Sequence, residues 1–218
     1  MKAYETYKYS IRTFPFYALV AKCFGYEDLS ELHNKMKPNA KFTMENNSDT
    51  EYHKKFYQRL REGWQPFEEK YIGFIKEVVK PIVSEEFVYQ KWPTLRIHLP
   101  NNWATPEFHR DSQEGYNHPE GEINFIIPLT PCYKTNAVWA ESSPDKGDFQ
   151  PLEGGVGDLF SFDGNKCLHG NKVNLTESTR VSFDFRVLPY SKYSPSSSKQ
   201  SNTTSTKFEL GGYYTELP

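Results

Sequence analysis

Arg180-Val181-Ser182-Phe183-Asp184-Phe185-Arg186-Val187 alternates polar and apolar residues without a break. A period of two is that of a β-strand, so Arg180, Ser182, Asp184 and Arg186 share one face and Val181, Phe183, Phe185 and Val187 the other. Working outward, Thr94-Leu95-Arg96-Ile97-His98-Leu99 alternates in the same way, as do Ile123 to Leu129 and Leu159 to Asp163. Turn chemistry separates these runs, at Pro100-Asn101-Asn102, Pro119-Glu120-Gly121, Ser143-Pro144-Asp145-Lys146-Gly147 and Asp163-Gly164-Asn165. No stretch from Trp92 to Pro189 has helical periodicity, and the pattern predicts half-buried antiparallel strands in a sandwich or jelly roll.

The N-terminal part reads differently. Phe16-Tyr17-Ala18-Leu19-Val20-Ala21-Lys22-Cys23-Phe24 predicts a short buried helix closed by Gly25. A second helical region opens at Ser48, which has capping-box spacing to Glu51. It continues through Phe56, Leu60, Phe67, Tyr71, Phe74, Ile75, Val78 and Val79, with interruptions near Gly63 and Pro66, and after Pro81 the period becomes two. The expected fold is mainly β with α, a double-stranded β-helix of the jelly-roll, cupin-like kind backed by N-terminal helices. A length of 218 residues fits one domain, with 1–88 as helical support and 89–190 as the β core. Residues 191–206 form a Ser/Thr-rich linker, and 207–218 regain apolar content and either dock or form a lid; docking against the helical wall is the preferred expectation.

Composition sets the function classes. Aromatic residues are 16% of the chain, and 26 basic against 28 acidic residues give a net charge of -2. That balance offers no general attraction to nucleic acid or anionic membrane. Neither a spanning apolar run nor a signal-peptide layout is present, so a cytoplasmic protein acting on a small molecule is expected. Cys23, Cys132 and Cys167 are odd in number and widely spaced, which speaks against a disulfide framework or a cysteine zinc site.

Two His-x-acid triplets occur, His109-Arg110-Asp111 and His118-Pro119-Glu120, where about 0.8 are expected by chance from 6 histidines and 28 acids. A triplet alone therefore identifies nothing. His169, after the run Gly157-Asp158-Leu159-Phe160-Ser161-Phe162-Asp163-Gly164, supplies a strand, a turn and a histidine in series. Two imidazoles and one carboxylate on one face of a ferrous ion leave adjacent positions for a chelating cosubstrate and dioxygen, and a His-x-Asp pair with a distant His can form that facial triad. Arg180 lies eleven residues further on, where a guanidinium can take a dicarboxylate bidentately while Ser182 donates to the same group.

With these residues assembled, the sequence resembles the iron(II) and 2-oxoglutarate-dependent oxygenases, and more narrowly the family named for a streptomycin biosynthesis protein. The matching motifs are Leu95-Arg96-Ile97-His98-Leu99-Pro100, Phe108-His109-Arg110-Asp111, His118-Pro119-Glu120-Gly121-Glu122-Ile123-Asn124-Phe125, Thr135-Asn136 and Trp139-x-Glu141-Ser142. Phe162-Asp163-Gly164, His169-Gly170-Asn171, Arg180 to Arg186 and Gly211-Gly212-Tyr213-Tyr214 complete them. The resemblance implies His109, Asp111 and His169 as metal ligands and catalytic centre, with Arg180 and Ser182 as the 2-oxoglutarate clamp. Asn124 is a candidate for binding cosubstrate or substrate, and Cys167 for filling space beside the iron. Arg96, His98, His118, Glu120, Trp139 and Glu141 are candidate substrate residues, although each also has a structural reading as strand surface, loop fastening or core. Fe(II), 2-oxoglutarate and O2 are the implied cofactors. Hydroxylation of a free amino acid or imino acid is the expected activity. Two competing readings are a cupin metalloenzyme without 2-oxoglutarate and a non-catalytic jelly-roll binding protein. Oligomeric state is not encoded in any motif.

Overall fold

The hydrophobic spacing of the N-terminal half produces a wall of helices. A computed structural model of the chain describes residues 3–36, 49–104, 107–195, 200 and 206–218. After strand β1 (Glu5–Lys8), helix α1 (Phe16–Phe24) buries Phe16, Val20 and Phe24, one turn apart, and ends at Gly25, whose φ of 70° suits a residue without Cβ. A 3-10 turn follows at Leu29–Lys35. Helix α2 (Glu51–Arg61) is capped by Thr50, whose hydroxyl accepts from the His53 amide at 3.3 Å; Ser48, the cap expected from spacing, lies outside the described residues. Helix α3 (Gln65–Phe74) begins with Pro66 in its first turn and runs through a π-helical stretch, Ile75–Val79, into α4 (Lys80–Val83). Pro81 therefore sits in helix, and strand begins only at Phe87.

The remaining elements are strands β2 (Phe87–Gln90), β3 (Thr94–His98), β4 (Ile123–Pro128), β5 (Val138–Ala140), β6 (Gln150–Pro151), β7 (Asp158–Phe162), β8 (His169–Asn171), β9 (Arg180–Pro189) and β10 (Tyr214–Thr215). The larger sheet has the order β1-β7-β4-β9-β2-β10, with β3 also on β9, and the smaller has β6-β5-β8. All pairings are antiparallel, and β9 is central: β4 lies on one edge from Ile123↔Val187 to Pro128↔Ser182, while β2 and β3 share the other. The architecture is mainly β with helices, a jelly roll whose sheets do not close into a barrel.

Two layers of packing hold it. On the outer face of the larger sheet, Val181, Phe183, Phe185 and Val187 join Phe125, Ile127, Leu95 and Ile97 in one cluster with the helices. The Phe183 ring meets Phe16, Phe56 and Phe67 at centroid distances of 6.1, 5.4 and 5.5 Å. Each fully buried ring contributes roughly 1.5–3 kcal/mol relative to exposure. Between the sheets lies a smaller cluster of Ala3, Ile126, Ala140, Leu152, Phe160 and Phe162. It leaves room for the polar face of β9.

The C-terminal segment docks elsewhere than on the helical wall. Tyr214 and Thr215 pair with Gln90 and Tyr89 along the edge of β2, and Phe208 and Tyr214 pack on Val88 and Leu188. An edge strand carries unpaired backbone groups that a further strand satisfies. Leu217 still reaches the large cluster. Of the expected linker, residues 196–199 and 201–205 lie outside the described residues. No described helix is long and apolar enough to cross a membrane.

Candidate metal centre

His169 opens β8 of the smaller sheet, and a two-way backbone bridge ties it to His109, whose amide donates to the His169 carbonyl at 2.9 Å and whose carbonyl accepts from the His169 amide at 3.0 Å. The Asp111 amide donates to the Gly164 carbonyl at 2.9 Å, which fastens the His-x-Asp loop to the turn after β7. Gly164 is required there: a Cβ would lie 2.7 Å from the Asn124 amide. The three side chains converge, each offering a ligand atom within 4.8 Å of the others, and all are buried.

Each donor is aimed. The Nδ1 atoms of His109 and His169 lie 3.0 and 3.2 Å from the carbonyls of Glu107 and Cys167. A carbonyl only accepts, so each ring protonates Nδ1 and presents the Nε2 lone pair inward. Burial, the largest influence, pushes the His169 pKa down to about 4 and keeps the ring neutral. Asp111 receives Asn124 Nδ2 at 2.6 Å and Arg186 Nε at 2.8 Å, both on Oδ2. Its Oδ1 instead faces His109 Nε2 and His169 Nε2 at 3.6 and 3.8 Å. Burial works against the carboxylate charge, but the Arg186 guanidinium outweighs it and holds Asp111 well below the ordinary range. Tyr116 stacks on His109 at 4.1 Å and Phe162 meets His169 edge-on at 5.1 Å. Two imidazoles and one carboxylate oxygen form a group that can bind a metal ion.

His109 and His169 also line a cavity, which they share with Asn124, Ile126, Val138, Phe162, Asn171, Ser182 and Arg180. Arg180 is 1% exposed. Its Nη2 donates to Asn171 Oδ1 at 2.9 Å, whereas Nε and Nη1 have no hydrogen-bond partner among the described residues. Burial accordingly lowers its pKa. A buried guanidinium with two idle donors is costly unless an anion completes it. Arg96 also lines the cavity, its Nε 2.6 Å from Asp184 Oδ1.

The other sequence candidates are placed differently. Asn124 reaches the cavity but spends its amide N–H on Asp111. His98 shares the inward face with Arg180, its register partner, yet its ring is enclosed between the carbonyls of Asn102 and Asn136. Glu141 accepts from the amides of Asp145, Gly147 and Leu168, so it fastens the loop before His169. Trp139 alternates with cavity-lining Val138 and therefore faces outward, under the Lys172 ammonium. Glu120 is 81% exposed. His118 is buried and its Nδ1 contacts Glu122 Oε2 at 2.7 Å. Cys167 is a buried thiol, pushed up to about 11 chiefly by burial. Asn171, Glu122 and Arg186 fall within the matched motifs but carry no assigned role there, Arg186 having in addition its place on the polar face of β9, and Tyr116 falls in no motif.

No family model matches the chain. It is 33% identical over 214 residues, 98% of both chains, to the streptomycin biosynthesis protein StrG of Streptomyces griseus. Among solved structures, AviO1 from Streptomyces viridochromogenes Tue57 superposes with a TM-score of 0.47 at 14% identity over 88% of this chain and 92% of the other. The non-heme alpha ketoglutarate dependent carbocyclase SnoK from nogalamycin biosynthesis gives 0.46 at 9% identity, over 86% and 80% of the two chains. A Pseudomonas putida prolyl-4-hydroxylase gives 0.44 at 9% identity, over 86% and 88%.

Proposed function

The chain belongs to the family of the streptomycin biosynthesis protein StrG, and on that premise we propose that it is a non-haem iron(II) oxygenase that couples 2-oxoglutarate decarboxylation to hydroxylation of a small polar metabolite. The observation that carries this reading is Arg180: two guanidinium nitrogens with no partner among the described residues, in a cavity also lined by His109 and His169, whose ligand atoms converge with that of Asp111. The donor set suits ferrous iron, held by His109, Asp111 and His169. The idle fork of Arg180, with the Ser182 hydroxyl beside it, suits the distal carboxylate of 2-oxoglutarate. Bound together, iron, 2-oxoglutarate and dioxygen supply the chemistry that inserts oxygen into an unactivated C–H bond and releases succinate and carbon dioxide.

The chain's own part is positioning. Carbonyls of Glu107 and Cys167 hold the two imidazoles in the ligating tautomer. Ile126, Val138 and Phe162 give an apolar wall to the cavity that His109, His169 and Arg180 also line. Arg96 and Asp184 are the remaining charged pair on the cavity wall, and they suit a substrate carrying both an ammonium and a carboxylate, a free amino acid or imino acid. The test is a panel of amino and imino acids incubated with protein, Fe(II), 2-oxoglutarate and air, read by succinate formation. Succinate with a hydroxylated product supports the reading. Tight iron binding with no response to 2-oxoglutarate would transfer the chain to the cupin metalloenzymes that do not use it, and no metal binding would leave a ligand-binding jelly roll.

A further inference from the structure

Arg186 is the centre of a polar network that runs from Asp111 to the C-terminal strand. Its Nε donates to Asp111 Oδ2 at 2.8 Å, and its Nη1 donates to Tyr213 Oη at 3.3 Å. Tyr213 in turn donates to Gln90 Oε1 at 2.8 Å, and Gln90 Nε2 donates to the Trp92 carbonyl at 2.8 Å. Gln90 Nε2 also donates to Thr94 Oγ1 at 3.0 Å, and the direction of the network is fixed at both ends: Arg186 cannot accept, and a carbonyl cannot donate. Burial raises the Tyr213 pKa, so the phenol keeps its proton to donate. The backbone joins in, because the Lys91 amide donates to the Tyr213 carbonyl at 2.9 Å and so sets the height of Tyr213 above β2. Beside it, Glu122 accepts from His118 and from the Tyr214 hydroxyl, with Arg186 Nε 3.7 Å away.

We propose that Arg186, braced by Tyr213 of the C-terminal segment, is a positioning residue that fixes Asp111 as a one-oxygen metal ligand, so that the segment is a component of the metal site. The inference rests on the iron reading of His109, Asp111 and His169. Arg186 and Asn124 both occupy Oδ2, which leaves Oδ1 as the oxygen turned to the two imidazoles. A carboxylate freed of these donors can rotate and offer both oxygens, taking up a position that the chemistry needs open. Tyr213 matters because a guanidinium on a flexible stem holds its angle only when it is gripped from more than one side.

The test is titration of the metal-free protein with Co(II) alone, at a temperature well below the melting point of every variant. Arg186→Gln is expected to weaken Co(II) binding about 10-fold or more and to shift the visible absorption of the bound ion. Tyr213→Phe keeps the ring and its packing and loses one oxygen; it is expected to weaken Co(II) binding by about threefold. A purely structural role would lower the melting point and leave both Co(II) readouts of the folded protein alone. Parent affinity and spectrum in Arg186→Gln, or in Tyr213→Phe where the first variant does not fold, overturn the inference and leave the iron reading standing. An effect in Arg186→Gln with none in Tyr213→Phe overturns the part assigned to the C-terminal segment. A parent protein that takes up no Co(II) overturns both.

Discussion

Val181, Phe183, Phe185 and Val187 on the outward face of β9, and Arg180, Ser182 and Arg186 on its inward face, are all buried, but by opposite means. The outward side chains need only close neighbours, and aromatic rings from three helices supply them. The inward ones need a partner for every polar atom. At one end of the face Arg186 has Asp111, Tyr213 and the nearby carboxylates of Asp184 and Glu122. At the other end Arg180 has Asn171 and two idle nitrogens. Two arginines on one strand, both buried, thus differ in what they lack. The satisfied one belongs to the network around Asp111, and the unsatisfied one is the observation that supports the proposed cosubstrate site.

The comparison can be broken from either side. The largest effect is expected at the triad: His109→Ala, Asp111→Ala or His169→Ala should each abolish turnover and sharply weaken iron binding, while circular dichroism and the outward core stay as in the parent. Next comes the outward face, where Phe183→Ala removes a ring packed against three others and should cost about 3–5 kcal/mol in denaturant unfolding, with catalysis per folded molecule preserved. An equal loss of iron affinity in that variant would mean that the two faces are not independent.

A smaller effect is expected from acid. Burial first, and then the nearby Arg180 charge, push the His98 pKa down to about 3. The unfolded chain takes up a proton near pH 6.5 and the native state refuses it until about pH 3. The unfolded state therefore binds more protons in this window, and the stability present above it is lost as the pH falls. Urea midpoints compared at pH 7 and pH 4.5 should drop in the parent and drop less in His98→Gln. The smallest effect is expected for Ser182→Ala, which should weaken 2-oxoglutarate binding by about 1 kcal/mol or somewhat more and leave iron binding unchanged. Binding titrations with each ligand separate the two.

Much of this was legible where the determinants are local. The alternation at Arg180 to Val187 yields the strand and both its faces, and the His-x-Asp spacing with a histidine after a strand and turn points to the three side chains that converge. Strand β2 was hidden because all four of its residues are buried and nothing alternates. The His118 triplet misleads for a geometric reason. Gly121, at φ 93°, turns the chain so that Glu122, not Glu120, comes back to the imidazole. Trp139 fails as a cavity residue by parity, since its neighbour Val138 takes the inward direction. Arg186 and Tyr213 could be placed on a strand face and in an apolar segment, but Asp111 and Gln90, which give them roles, are 75 and 123 residues away in sequence.

The central claim is that Arg180 awaits a dicarboxylate in the cavity of an iron site. Its most direct test is an anaerobic titration of the Fe(II)-loaded protein with 2-oxoglutarate, followed by visible absorption, in the parent and in Arg180→Met. The account predicts a charge-transfer band in the parent that saturates with 2-oxoglutarate. In Arg180→Met it predicts cosubstrate affinity lower by about 30-fold or more, because the buried charge that pairs with the ligand is gone, and an unchanged affinity for iron. A parent without the band, or a variant that binds 2-oxoglutarate as tightly as the parent, would contradict it.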